Sequence, residues 1–208
     1  MSSRRGFVVS AVVLVLVAII ASGADAQAWK TDSPAATITS LQQGLIAVAR
    51  EQSNASLDER YRALEPLVVA THDLPYIAEF ALRRQWASLA EPDRQRFVAA
   101  FQRLSVMTYA ARFKAVGPET FRTVTAAAAD SSGRVPVATA VARAGQADVS
   151  LEYLLRQDAM GWRIINIVAD GVSDLALKRA EYQRVFASGG IDGLVAELEQ
   201  QTERLARN

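Results

Sequence analysis

Apolar residues recur about every 3.6 positions up to Gly117-Pro118 and about every second position from there to Ile167. That switch constrains the chain more than any other feature. A 3.6 period buries one stripe of a helix and a period of 2 buries one face of a strand. The chain must therefore build helices first and a sheet second, and each must cover the other's apolar side.

Before the switch four helices are expected. Ile38, Leu41, Leu45 and Val48 mark the first. Ser56-Leu57-Asp58-Glu59 is a capping box that opens the second, with Leu57, Tyr61, Leu64 and Val68 on one face and Pro66 expected to kink or end it. Asp73 caps the third, where Pro75 suits the first turn, and the helix runs to about Trp86. Ser88-Leu89-Ala90-Glu91 reads as a second capping box. It opens the longest helix, to about Lys114, with Phe97, Phe101, Leu104 and Thr108 on one stripe widened by Tyr109 and Phe113.

After the switch four strands follow, around Phe121–Val124, Val135–Val141, Val149–Leu155 and Trp162–Ile167. Short turns at Ser131-Ser132-Gly133, Ala144-Gly145-Gln146 and Gln157–Gly161 join them into an antiparallel meander. Ser173 caps a helix carrying Leu175, Tyr182 and Phe186; Gly189-Gly190 stops it; Ile191, Leu194, Val195, Leu198 and Leu205 mark a last one. The fold class is α+β: helices packed on a four-stranded antiparallel curved sheet, with no internal repeat.

Composition excludes several kinds of chemistry. Cysteine is absent and His72 is the one histidine, so disulfides, thiolate catalysis and a multi-histidine metal site are ruled out. Net charge is +1, with no basic cluster interleaved with aromatics, so nucleic acid is not an expected partner. No cofactor motif is present. Residues 1–26 read as a cleaved signal peptide: Arg4 and Arg5, an apolar run from Phe7 to Ala21, then Ala24-Asp25-Ala26. As a helix that run rises about 22 Å, short of the roughly 30 Å hydrocarbon layer, though an uncleaved anchor is the alternative. The remainder, 27–208, is expected to form one domain and to lie in an exported compartment.

Two places offer catalytic residue types. His72-Asp73 could be a base with an orienting carboxylate, but no motif ties a nucleophile to it and Asp73 has a capping role. Asp170-Gly171-Val172-Ser173-Asp174 lacks a nucleophile elbow and a second histidine; Gly171 eases the strand-to-helix corner and Ser173 caps. What remains is an excess of apolar faces on the long helix and the sheet. Periodicity permits either a filled core or a ligand cavity between them.

Two stretches carry a resemblance. "ALRRQWASLAEPDRQRFVAAFQRLSVMTYAARF", Ala81 to Phe113, and "GWRIINIVADGVSDLALKRAEY", Gly161 to Tyr182, resemble signatures of the MlaC/toluene-tolerance family of periplasmic lipid-binding proteins. "GVSDLALKRAEY" is similar to HpnM, the branch associated with hopanoid biosynthesis. The likeness spans about residues 35 to 200. Arg83, Asn166 and Asp174-Leu175 depart from the common pattern. The resemblance implies an NTF2-like sheet and helices around an apolar pocket, and a non-enzymatic carrier of phospholipid or hopanoid between inner and outer membranes. It also implies an inner-membrane transporter partner, of ABC/MCE or RND type, and a monomeric periplasmic protein. The residues then expected to bind lipid are Trp86, Phe97, Phe101, Leu104, Tyr109, Phe121, Val137, Val141, Leu151, Tyr153, Trp162, Ile164 and Val172. The rival expectations are a scaffold subunit with a filled core and an NTF2-like enzyme with a buried carboxylate.

Overall fold

The computed structural model describes residues 29–113, 120–122, 124–142, 145 and 147–207. The expected signal segment, the Gly117-Pro118 boundary and two residues of the Ala144–Gln146 turn lie outside them. The helical half comprises α1 (Pro34–Glu51), α2 (Leu57–Thr71), α3 (Leu74–Ala81), the single turn α4 (Arg83–Trp86) and α5 (Glu91–Arg112). The sheet follows as β1 (Thr125–Ala126), β2 (Val135–Val141), β3 (Val149–Asp158), β4 (Gly161–Ala169) and β5 (Val172–Ser173), and α6 (Asp174–Ala206) closes the chain.

Local chemistry accounts for most helix starts. Ser56 Oγ accepts from Glu59 N while Glu59 accepts from Ser56 N, the reciprocal box expected. Asp73 accepts from Tyr76 N at the head of α3, and Ser173 from Ala176 N at the head of α6. The second expected box does not form. Pro92 fits the first turn of α5 and moves its start to Glu91, so Ala90 is the cap residue without a side-chain bond and Ser88 donates to Gln85 O instead. Pro66 does not end α2, which continues to Thr71. The helix expected from Asp73 to Trp86 breaks at Leu82 into α3 and α4. Gly190 (φ 61°) interrupts α6, as its glycine pair suggests.

The sheet is antiparallel and ordered β1-β2-β3-β4-β5, with five strands rather than the expected four. The two edge strands are two residues each, too short to carry an alternating pattern. Phe121 makes only a lone bridge to Val141, and the first ladder begins at Thr125. The fifth strand is the Val172-Ser173 corner itself, paired to Val168 and Ala169 after a tight turn in which Asp170 (φ 48°) and Gly171 (φ 82°) are left-handed. Ile165 is an extra residue in β4, because the register passes from Leu154↔Asn166 to Leu155↔Ile164. A bulge of this kind lets consecutive residues bury, and Ile164 and Ile165 are both inside.

Two apolar clusters form the interior. Val68, Ile77, Phe97, Phe101, Leu104, Tyr182, Leu194 and Leu198 join α2, α3, α5 and α6. Ile38, Leu41, Leu45, Leu64, Leu67, Val137, Tyr153, Leu155 and Ile164 join α1 and α2 to β2, β3 and β4. Gly44 lets α1 lie against α2, since a Cβ there would come within 2.5 Å of Leu67. Gly161 (φ 112°) turns β3 into β4 beneath Thr31, whose carbonyl accepts from Trp162 N at 2.7 Å.

The helical layer is clamped to the sheet at His72-Asp73. Asp73 N donates to Ile164 O at 2.9 Å, and His72 bridges Ile164 in parallel, so the two residues act as a stub of strand beside β4. Side chains alternate along such a stub. Asp73 therefore turns away from His72 and meets Arg156 Nε at 2.6 Å and Arg163 at 3.1 Å, arginines that are cross-strand neighbours on β3 and β4. Arg163 also pairs with Asp158, and Arg156 covers the Tyr76 ring at 4.2 Å. Burial pulls the Asp158 carboxyl upward, but its bonds from Arg163 and Met160 N leave it below the usual range.

Removing one partner from a buried pair costs about 3–5 kcal/mol. Asp73 is only 3% exposed, so Asp73→Ala should lower unfolding free energy by about that much in urea titration, and Asp73→Asn by less because the cap bond survives. A loss under about 1 kcal/mol in D73A, the scale of an exposed pair, would contradict the clamp.

Candidate lipid-binding site

A cavity of about 620 Å³ lies where the two apolar clusters meet. The sheet supplies Leu151, Tyr153, Ile164, Ile167 and Ala169, and α5 supplies Phe101, Leu104, Thr108 and Tyr109, with Phe113 just past its end. Leu175, Leu177, Tyr182 and Leu205 of α6 close the third side. The space exists because α1 and α2 cover the sheet at β2 and β4, whereas α5 packs chiefly on α2 and α6. Aromatic packing then fixes α5: Phe97 and Phe101 meet the Tyr182 ring edge-on at 5.9 and 6.3 Å.

Among the described residues that line the chamber, His72 and Tyr109 form a polar pair. His72 Nε2 lies 2.9 Å from Tyr109 Oη. Thr71 Oγ1 donates to Leu67 O, so the imidazole proton sits on Nδ1, which is 3.1 Å from Val68 O and 3.0 Å from Thr71 Oγ1. Tyr109 is thus the donor to Nε2. Burial pushes the imidazole down to about 4, and burial first, then Tyr153, pushes the Tyr109 phenol well up. Both groups are neutral at pH 7 and satisfy each other, which suits an apolar chamber. Asp73 does not orient this histidine; its carboxylate is on the other side of the stub.

Charged side chains gather at the exposed end. Asp174 pairs with Lys178, Gln201 donates to Glu181 at 2.6 Å, and Arg204 donates to Glu197 at 2.8 Å. Among the described residues Arg112, also lining the cavity, makes no ion pair. Leu177, 59% exposed, stands beside them. The chamber is apolar inside and charged where it meets water.

Of the thirteen residues expected to bind lipid, Phe101, Leu104, Tyr109, Leu151, Tyr153 and Ile164 line this cavity. The other seven do not. Phe97 and Val137 are fully buried in the flanking clusters. Trp86 packs at the end of α4 beneath the Arg94 guanidinium, and Trp162 packs against the sheet-side cluster with its carbonyl accepting from Thr37. Phe121 stacks on Phe113 and bridges Val141 near the end of the β2 ladder. Val172 is 53% exposed. His72, the α6 wall and the charged mouth also line the site, and none of them is among the thirteen residues expected to bind lipid. A helix register for α6 was available, but not its placement, which is set by the two-residue β5.

The Asp170–Asp174 corner is spent on structure. Asp170 accepts from Ser150 N at 2.9 Å, and Asn166 Oδ1 accepts from both Ser173 Oγ and Leu175 N. Among the described residues no group of three or more potential ligands could hold a metal ion.

The neutral histidine generates a pH prediction. Unfolded histidine titrates near 6.5, so between that value and about 4 the unfolded chain takes up a proton that folded His72 refuses. Stability therefore falls as pH drops through this window, by about 3 kcal/mol, and levels off below it. His72→Gln should remove that part of the slope in urea titrations at stepped pH. Identical slopes in wild type and H72Q would refute the neutral assignment.

The solved structure of the phospholipid-binding protein from Ralstonia solanacearum, in complex with a phospholipid, matches this chain with a TM-score of 0.69 at 21% identity. The match covers 82% of this chain and 97% of that one. At that identity the likeness shows a shared fold. No curated protein sequence matches the chain. Among the described residues no helix is long and apolar enough to cross a membrane. The MlaC protein family model matches residues 39–200, and by a match over most of its length the chain belongs to the MlaC family.

Proposed function

We propose that the chain is a periplasmic lipid carrier, one domain following a cleaved leader. The observation that supports this best is the cavity between α5, α6 and the β3–β4 face, about 620 Å³ in size, within the range of small-molecule sites. Acyl chains occupy the interior beside Leu104, Leu151 and Ile167, and the headgroup stays toward water. Burying a methylene is worth about 0.8 kcal/mol, so a lipid with about 30 of them would expose roughly 20 kcal/mol or more of apolar surface on entering water alone. A dry chamber removes the part of that cost belonging to the chains it covers. A bilayer is equally dry, so the lipid exchanges with little change in free energy once the carrier docks. This role needs binding and release, with no covalent step.

The cargo is a phospholipid or, on the narrower likeness of the "GVSDLALKRAEY" segment, a hopanoid. The family likeness favours a monomer exchanging cargo with an inner-membrane transporter of ABC/MCE or RND type and moving it between the two membranes. The phospholipid bound by the Ralstonia solanacearum protein of similar fold is consistent with the first cargo.

Mass spectrometry of lipid extracted from protein purified from the exported compartment should find lipid near equimolar with wild type. Leu151→Asp should reduce it at least tenfold, and Ile167→Trp, which fills the chamber without a charge, should do the same. Folded variants that keep wild-type loading would remove the cavity as the binding site, and lipid-free wild type would remove the carrier reading.

A further inference from the structure

We propose that a second cavity, of about 480 Å³, binds the oxyanion of a phosphate group. It lies against the opposite side of β3 from Tyr153, because its wall includes Leu154. It shares Ile165, Asn166 and Leu175 with the larger cavity.

Its described lining holds hydrogen-bond donors and cations without a carboxylate. Arg84, Arg134 and Arg179 come from α4, the β2 approach and α6. Arg134 is paired with Asp130 at 2.9 Å, but among the described residues neither Arg84 nor Arg179 makes an ion pair. Arg179 rests near the Phe80 ring, 5.8 Å from its centroid, which positions the guanidinium without neutralising it. Asn166 Oδ1 is already occupied by Ser173 and Leu175, so what this amide still offers is its N–H₂. Among the described residues Gln183 Nε2 is buried without a hydrogen-bond partner.

A buried donor without an acceptor is costly, and its natural remedy is a bound acceptor. The first turn of α6 adds Ser173, Leu175 and Ala176 to the wall, the helix end that favours negative charge. The acid of that turn, Asp174, lines the other cavity and pairs with Lys178. Planar guanidiniums from different elements together with amide N–H groups match the several acceptor oxygens of a phosphate monoester or diester.

The phosphate could belong to a lipid whose chains lie in the neighbouring cavity, which rests on the carrier reading, or to free phosphate. Full-length protein should be titrated calorimetrically with inorganic phosphate, and loaded separately with phosphatidylglycerol and with neutral diacylglycerol of the same chains. Arg84→Gln/Arg179→Gln should weaken phosphate binding at least tenfold, and Gln183→Leu severalfold, with thermal unfolding unchanged. If the double variant also retains at least tenfold less phosphatidylglycerol but normal diacylglycerol, the phosphate is a headgroup. If both lipids load normally, the site serves free phosphate. Phosphate affinity equal in wild type and double variant, or no phosphate binding together with unchanged phosphatidylglycerol loading, overturns the site. Wild type that binds phosphate but neither lipid leaves the site standing and removes the carrier reading instead.

Discussion

The carboxylate of Asp73 decides how the helical half meets the sheet. It caps α3, and it accepts from two arginines that are paired across β3 and β4. The cluster of Asp73, Asp158, Arg156 and Arg163 has no net charge, and its desolvation is offset by good geometry rather than by surplus attraction. Its contribution is position. The stub beside β4 cannot slide by one residue without sending Asp73 to the apolar side and His72 to the ionic side. With the α2–α3 joint fixed there, α5 follows α2 and α6, and the apolar face of β3 and β4 is left facing a chamber.

That chamber keeps a polar pair without a net charge. A charged imidazole would attract water and counter-ions into the cavity, whereas the neutral His72–Tyr109 bond closes on itself. The remaining charges stand at the opening, where water screens them. On the proposed function, the consequence is a weak preference among apolar chains and a stronger one among polar ends.

Much of this arrangement is legible in the residues. Burial on one face forces a 3.6 or 2 period, so α1, α2, α5, β2, β3 and β4 are visible, and Ser56, Asp73 and Ser173 announce helix starts by their chemistry. Three kinds of feature are not visible. β1 and β5 are too short for any period. The Ser88 box fails because a proline two residues into α5 competes for the helix start. Periodicity also says that Phe97, Val137 and Trp162 point inward without saying whether they meet atoms or space. His72 looks idle in the sequence because its partner, Tyr109, is 37 residues away on another helix.

Ile165 breaks the even count along β4. In β4 the chamber-facing residues run Ile164, Ile167, Ala169, a step of three and then of two, while Ile165 and Asn166 reach both cavities. One strand thus serves as a party wall between a greasy room and a cationic one. Losing Ile165 would restore strict alternation and keep Asn166 opposite Leu154 and Ile167 opposite Tyr153, so both rooms would keep their tenants and the wall would lose one of the two residues that reach into both.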